Sequence, residues 1–366
     1  MRMLVTGSTG LVGTVVVERL LEEGFEVSRL VRRQWGMDEP EVLWEPEKGS
    51  IDRKGIEGFD AVVHLAGESI GEGRWTDTRK QRIYDSRVAG TKLLCEALAG
   101  LKRPPRTLIA ASAIGYYGNR GGELLDEASP AGDTFLAQVC RDWEASTAAA
   151  AKAGIRVVNA RIGVVLSPKG GALAKMLPPF RKGLGGVVGD GTAYISWITP
   201  DDLVGAVLHC LLREELRGPV NALGPHPVTN REFTKTLGRV LSRPTPFPVP
   251  AFAVRLAFGQ MGDELLLSST RAVPKKLEAS GFVFKHAELE MALRHVLRKQ
   301  YGRAARARPE SRVRFDYSGR GLPFVSGAKG RMKRPRMKME EVMSTAVFSP
   351  NMRVSCPIAK RPTAVM

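Results

Sequence analysis

Short runs of apolar residues recur along the first part of the chain, and longer stretches between them repeat their apolar residues every three or four positions. The runs at 3–6, 26–31, 60–67, 107–112 and 156–161 are short and nearly continuous in apolar character, so they read as buried strands. The intervening segments 11–23, 74–98 and about 134–153 carry helical spacing, with Val88, Leu93, Leu94, Ala97 and Leu98 on the buried side of the second. Such β-α-β alternation predicts an α/β protein with a Rossmann-type, doubly wound parallel sheet. Helices cover both faces of such a sheet, and its ligand crevice opens at the carboxyl ends of the strands. The segment 42–52 reads as a turn-rich connection.

From Gly163 the pattern breaks into glycine and proline punctuation, which predicts a lid-like segment over 168–192. A helix over 200–213, opened by Pro200-Asp201-Asp202, and a strand at 218–222 then return to the sheet. Thr229 or Asn230 is placed to cap a helix reaching Leu241. Residues 244–300 mix proline-rich loops with amphipathic helices. The expected organisation is a dinucleotide-binding domain over 1–165, rejoined by 200–222, and a smaller C-terminal substrate-side subdomain over 166–199 and 223–300.

Composition changes this picture in three places. The chain is 43% hydrophobic, but no window approaches the ~18 uninterrupted apolar residues of a membrane helix. With a strand and glycine turn at the N-terminus where a leader would lie, a cytoplasmic protein is expected. Cys95, Cys140, Cys210 and Cys356 are far apart, with no C-x-x-C, so free thiols are expected and no metal-ligand set is seen. The net charge of +17 is concentrated from residue 301 onward, where 15 Lys and Arg face 4 Asp and Glu. That 301–366 tail reads as a disordered, solvated extension in preference to an arm for nucleic acid or anionic lipid.

The most informative stretch is Met3-Leu-Val-Thr-Gly-Ser-Thr-Gly-Leu-Val-Gly13. Gly7, Gly10 and Gly13, with Thr9, Leu11 and Val12 between and after them, form a turn from strand to helix whose free amides suit a pyrophosphate. Leu65, Ala66 and Gly67 end the third strand in residues that let a flat ring or ribose approach. His64 reads as a satisfied core histidine. After the second strand, where an NAD-selective fold places an acid, the chain has Arg32 and Arg33. A guanidinium there pairs with a 2′-phosphate, so NADP, as NADPH over NADH, is the expected cofactor.

The G-x-x-G-x-x-G spacing, Ser112-x-x-x-Tyr116-Tyr117-Gly118, Trp143-Glu144 and Ser196-Trp-Ile-x-x-Asp-Asp-Leu203 together resemble the short-chain dehydrogenase/reductase superfamily. In particular, they resemble its atypical extended members of the epimerase family, the nucleoside-diphosphate-sugar epimerase-like proteins. Pro248-Val-Pro-Ala-Phe, Asp263-Glu-Leu-Leu-Leu267 and Gly281-Phe-x-Phe284 look like the small C-terminal domain of that subgroup. The resemblance implies an NAD(P)-binding oxidoreductase or epimerase acting on a sugar-like, nucleotide-sugar-like or small carbonyl substrate.

It also exposes a departure. Alignment on the superfamily's motifs puts Leu136 at the tyrosine and Cys140 at the lysine of the Tyr-x-x-x-Lys pair, and Arg87 at the asparagine; Ser112 is retained. The resemblance thus offers Ser112, Tyr117, Cys140 and Arg87 as catalytic candidates. Tyr116 or Tyr117 would exchange the proton, Arg87 would supply the cation, and Cys140 reads more readily as an inert buried thiol. Two functions stay open: an NADP-dependent oxidoreductase or epimerase, and a catalytically silent NADP(H)-binding sensor or scaffold.

Overall fold

Alternate side chains along the central strands enter opposite hydrophobic layers, and this explains why their apolar runs are continuous. In the computed structural model, which describes residues 1–301 except Trp35 and Met37, Met3 and Val5 join one buried cluster and Leu4 the other. Ala61 and Val63 divide from Val62 in the same way, and Ile109 from Leu108 and Ala110. Truncating one such fully enclosed leucine to alanine typically costs about 2–5 kcal/mol, so each strand is held from both sides.

The first half comprises β1 (Arg2–Thr6), α1 (Leu11–Glu22), β2 (Glu26–Val31), β3 (Glu41–Glu45), β4 (Ser50–Ile51), β5 (Ala61–His64), α2 (Asp77–Ala99), β6 (Thr107–Ala113), β7 (Leu124–Leu125), α3 (Phe135–Ala145), α4 (Ala148–Lys152) and β8 (Arg156–Ile162). There follow β9 (Val164–Val165), α5 (Gly171–Arg181), β10 (Tyr194–Ile195), β11 (Trp197–Ile198), α6 (Pro200–Leu212), β12 (Gly218–Ala222), β13 (Val228–Thr229), α7 (Asn230–Leu241), α8 (Ala251–Phe258), α9 (Gln260–Gly262), β14 (Arg271–Ala272), α10 (Lys275–Ala279) and α11 (Leu289–Tyr301).

The main sheet has the order β12-β8-β6-β5-β1-β2-β3-β4, parallel throughout except for β4. From β1 the chain builds outward through β2 and β3, then crosses back to β5 and builds the other way. The switch point therefore lies between β1 and β5, where Thr6 pairs with His64 and both strands end.

Three expectations need correction. The supposed connection 42–52 contains β3, in which Val42 and Trp44 are buried and Leu43 and Glu45 exposed; this period-two signal is cut short by the turn at Pro46–Lys48. The helix expected over 134–153 is two helices, because Ser146 Oγ and Thr147 Oγ1 hydrogen-bond back to the carbonyls of Asp142 and Glu144 at 2.7 Å each. The lid-like segment contains the helix α5, despite Pro178 and Pro179 inside it.

The C-terminal elements are tied to the sheet's edge. β14 pairs with β7, and Ser196 Oγ hydrogen-bonds the backbone at Thr270 and Ala272. The Glu264 carboxylate accepts from the first amides of α3, Phe135 at 3.2 Å and Leu136 at 2.9 Å. A carboxylate at a helix start is worth up to about 1 kcal/mol and here fixes where α3 begins. The 301–366 tail lies outside the described residues, apart from Tyr301 at the end of α11.

Candidate cofactor and active site

The glycines build the cradle in two different ways. Gly7 has φ +64°, and a Cβ on it would stand 2.7 Å from the Leu65 carbonyl carbon; a Cβ on Gly13 would stand 2.1 Å from the Gly7 oxygen. These two let β1, β5 and α1 close on one another. Around Gly10 the only atom a Cβ would meet within 4 Å is Gly7 O at 3.2 Å, and Thr9 and Gly10 are both exposed. No side chain caps α1, and its first turn holds no acid, a helix start whose free amides and positive end suit an anion. Leu11 also meets Gly170 and Gly171, which brings the start of α5 over the cradle.

The opposite wall is positioned by Thr6. Its Oγ1 accepts from the amides of Leu65 at 3.1 Å and Ala66 at 3.2 Å, so its own hydrogen goes to His64 Nδ1, 2.7 Å away. The His64 ring then carries its proton on Nε2 and donates to Thr91 Oγ1 at 2.8 Å, which also accepts from Trp143 Nε1 at 2.9 Å. Burial lowers the His64 pKa to about 4, and the ring is a neutral core group linking β1, β5, α2 and α3. Gly67 is exposed, but a Cβ there would lie 3.4 Å from the Arg87 Cζ. The room expected beside Gly67 for a ring or ribose is thus bordered by a guanidinium.

At the end of β2, Arg32 and Arg33 are exposed. Sequence reasoning missed Arg29, whose Nε donates to Glu39 at 2.8 Å and whose Nη1 lies 3.4 Å from the Ser8 carbonyl. The Arg29 hydrogen bond holds the Glu39 carboxyl below its ordinary range. Glu41 accepts from the Gly36 amide at 3.1 Å. Of the acids that follow β2, Glu39 and Glu41 therefore already have hydrogen-bond donors.

Register carries Ser112 opposite Arg161 on β8. Ser112 Oγ donates to Glu144 Oε1 at 2.7 Å, and Arg161 donates to both Glu144 oxygens at 2.8 and 2.9 Å. Arg161 also reaches the Tyr117 hydroxyl at 3.1 Å. The proton-exchange role expected of Tyr117 does not fit this placement. Its side chain is fully buried, and its hydroxyl lies 2.9 Å from the Asp126 carbonyl and 2.8 Å from Asn221 Oδ1. Burial pushes the phenol up to about 12. Its cation is Arg161 and not Arg87. Neither Arg161 nor Glu144 was singled out as a site residue from the sequence, although a charged residue inside an apolar strand was the available signal.

Tyr116 is only partly buried, with Arg161 Cζ 3.4 Å from its ring centroid. Cys140 is 3% exposed and burial pushes its thiol up to about 12, so it is neutral and cannot replace a lysine. Leu136 and Cys140 do face the turn after β6: a Cβ on Gly115 would lie 3.2 Å from Leu136 Cβ and 3.8 Å from Cys140 Sγ. Arg87 lies 5.1 Å from the Trp143 ring centroid, with the Cys140 thiol among the groups that act on its charge.

Residues 3–222 match the model of the NAD dependent epimerase/dehydratase family, and residues 249–296 match a domain of unknown function, DUF1731. The chain belongs to this epimerase/dehydratase family. It is an atypical extended short-chain dehydrogenase/reductase with the small C-terminal domain of its subgroup. Epimerase family protein Mb2239 of Mycobacterium bovis is 46% identical over 289 residues, covering 79% of this chain and 95% of that protein. The human epimerase family protein SDR39U1 is 35% identical over 300 residues, covering 81% of this chain and 100% of that protein. A crystal structure of human SDR39U1 (isoform 2) with NADPH superposes with a TM-score of 0.75 at 34% identity, over 81% of this chain and 99% of that one.

Proposed function

We propose that this protein is an NADP(H)-dependent oxidoreductase or epimerase acting on a carbonyl or sugar-like substrate. The observation that carries the reading is the uncapped start of α1 over Gly10, a phosphate cradle beside two exposed arginines, Arg32 and Arg33. The acids behind them, Glu39 and Glu41, already have donors of their own. The relative solved with NADPH supports the same choice of cofactor. When bound, the nicotinamide would supply the hydride chemistry. This chain's part is to hold the phosphates on the first amides of α1, to meet a 2′-phosphate with Arg32 or Arg33, and to offer Tyr116, whose ring lies against Arg161, at the turn after β6.

With Tyr117 fully bonded, the phenol left for proton exchange is that of Tyr116. Leu136 and Cys140 at the usual tyrosine and lysine positions favour a second reading, a cofactor-binding protein without turnover. Calorimetry of NADPH and NADH with the unmodified protein and with Arg32→Asp tests the cofactor assignment. NADPH should bind at least tenfold more tightly, and Arg32→Asp should shrink that ratio. Equal affinities in the unmodified protein would sink it.

A further inference from the structure

Among the described residues eight arginines are partly or fully buried; Arg19 and Arg120 pair with nearby glutamates, and Arg271 bonds the Gly122 carbonyl beside the Tyr194 ring. Arg29, Arg79 and Arg161 each hold a carboxylate, from Glu39, Glu68 and Glu144. Arg156 holds backbone carbonyls at the end of α6, among them those of Cys210 at 2.9 Å and Leu211 at 2.8 Å. Arg87 is different. Its contacts are an Nη1 bond to the Ile83 carbonyl at 3.2 Å, a long one to Ser86 Oγ at 3.5 Å, and the Trp143 ring. Among the described residues it forms no ion pair.

A guanidinium has five N–H donors, and taking it out of water without a counter-charge is costly. Burial is the largest influence on Arg87 and lowers its pKa. The acid within its field, Glu68, is committed to Arg79. The neighbouring thiol of Cys140 is held neutral by burial, so it is no counter-ion. The guanidinium instead borders the exposed Gly67, which leaves β5 at the carboxyl edge of the sheet. The phosphates of a dinucleotide belong on the other side of the switch point, at the α1 cradle and the end of β2.

We infer that Arg87 is an oxyanion subsite that takes a carboxylate or phosphate on the substrate, so that the protein selects acidic carbonyl compounds over neutral ones. This inference rests on the redox reading for the word substrate, but the subsite itself is a property of the chain. A planar guanidinium lying over an indole, with donors to spare, suits bidentate capture of either anion. Trp143, locked through Thr91 and His64, keeps that guanidinium plane in place.

The test uses the full chain, with and without NADP, titrated calorimetrically with succinate, inorganic phosphate and the neutral succinamide. Succinate or phosphate should bind and succinamide should not, and the two anions titrated separately decide which oxyanion fits. Arg87→Met, which keeps the packing on Trp143, should raise the anion's Kd tenfold or more. Arg87→Lys, which keeps the charge but not the planar fork, should fall between. NADPH affinity should stay within about threefold in both variants. Equal binding of succinate and succinamide, or undiminished anion binding by Arg87→Met, overturns the subsite. A tenfold loss of NADPH affinity in Arg87→Met also overturns it, since the guanidinium would then serve the cofactor. If the unmodified protein binds no NADPH but still binds the anion through Arg87, the redox reading fails and the subsite stands.

Discussion

Glu144 sits where two demands meet, because it must neutralise the buried Arg161 and also fix the direction of Ser112. Arg161 is 2% exposed at its side chain and Glu144 13%, with two near-parallel bonds between them. Taking one charge from such a pair leaves the other uncompensated, at a cost of about 3–5 kcal/mol. Glu144→Gln keeps the shape and removes the charge, so it should lose about that much stability in urea unfolding. A loss under about 1 kcal/mol would mean that water screens the pair. The same residues explain why Tyr117 was misassigned: paired tyrosines after Ser112 are visible in sequence, but which one turns inward depends on Asn221, Arg161 and Asp126, which only the fold brings together.

At the scale of elements, β1, β5, α2 and α3 share one polar contact, the chain from Thr6 through His64 and Thr91 to Trp143. Burial lowers the His64 pKa from 6.5 to about 4. The unfolded chain therefore binds a proton between those values that the folded chain does not. Stability from this group is complete above about pH 6.5 and falls by roughly 1.4 kcal/mol per pH unit as the pH drops toward about 4, then levels off. Urea unfolding at pH 7.5 and 5 should show the loss, and His64→Gln should flatten that slope; an equal slope in both proteins would count against it.

The elements themselves were largely legible, since apolar runs and helical spacing mark β1, β2, β5, β6, β8 and the helices between them. β3 was not, because its alternation spans only Glu41–Glu45 beside a Glu-Pro-Glu turn. The break between α3 and α4 depends on hydroxyls bonding back to carbonyls, a choice the same residues need not make elsewhere. His64 as a core group was readable from its apolar run. Its partner Thr91, 27 residues away, and the Trp143 indole that donates to the same hydroxyl were not.

For the whole molecule, the sheet's switch point sets the glycine cradle beside the carboxyl end of β5, with Arg87 bordering Gly67. No helix among the described residues is long and apolar enough to cross a membrane. The function proposed for this arrangement is NADPH-dependent chemistry, beyond merely holding the nucleotide. The most direct measurement is consumption of NADPH by the purified protein across a panel of aldehydes and ketones, each carboxylated member paired with its neutral amide. At least one carboxylated compound should be reduced, faster than its amide by about tenfold, and Tyr116→Phe should slow it by about 10²-fold with NADPH affinity unchanged. NADPH that binds tightly yet is consumed by no member of the panel would contradict the account and leave a cofactor-binding protein without turnover.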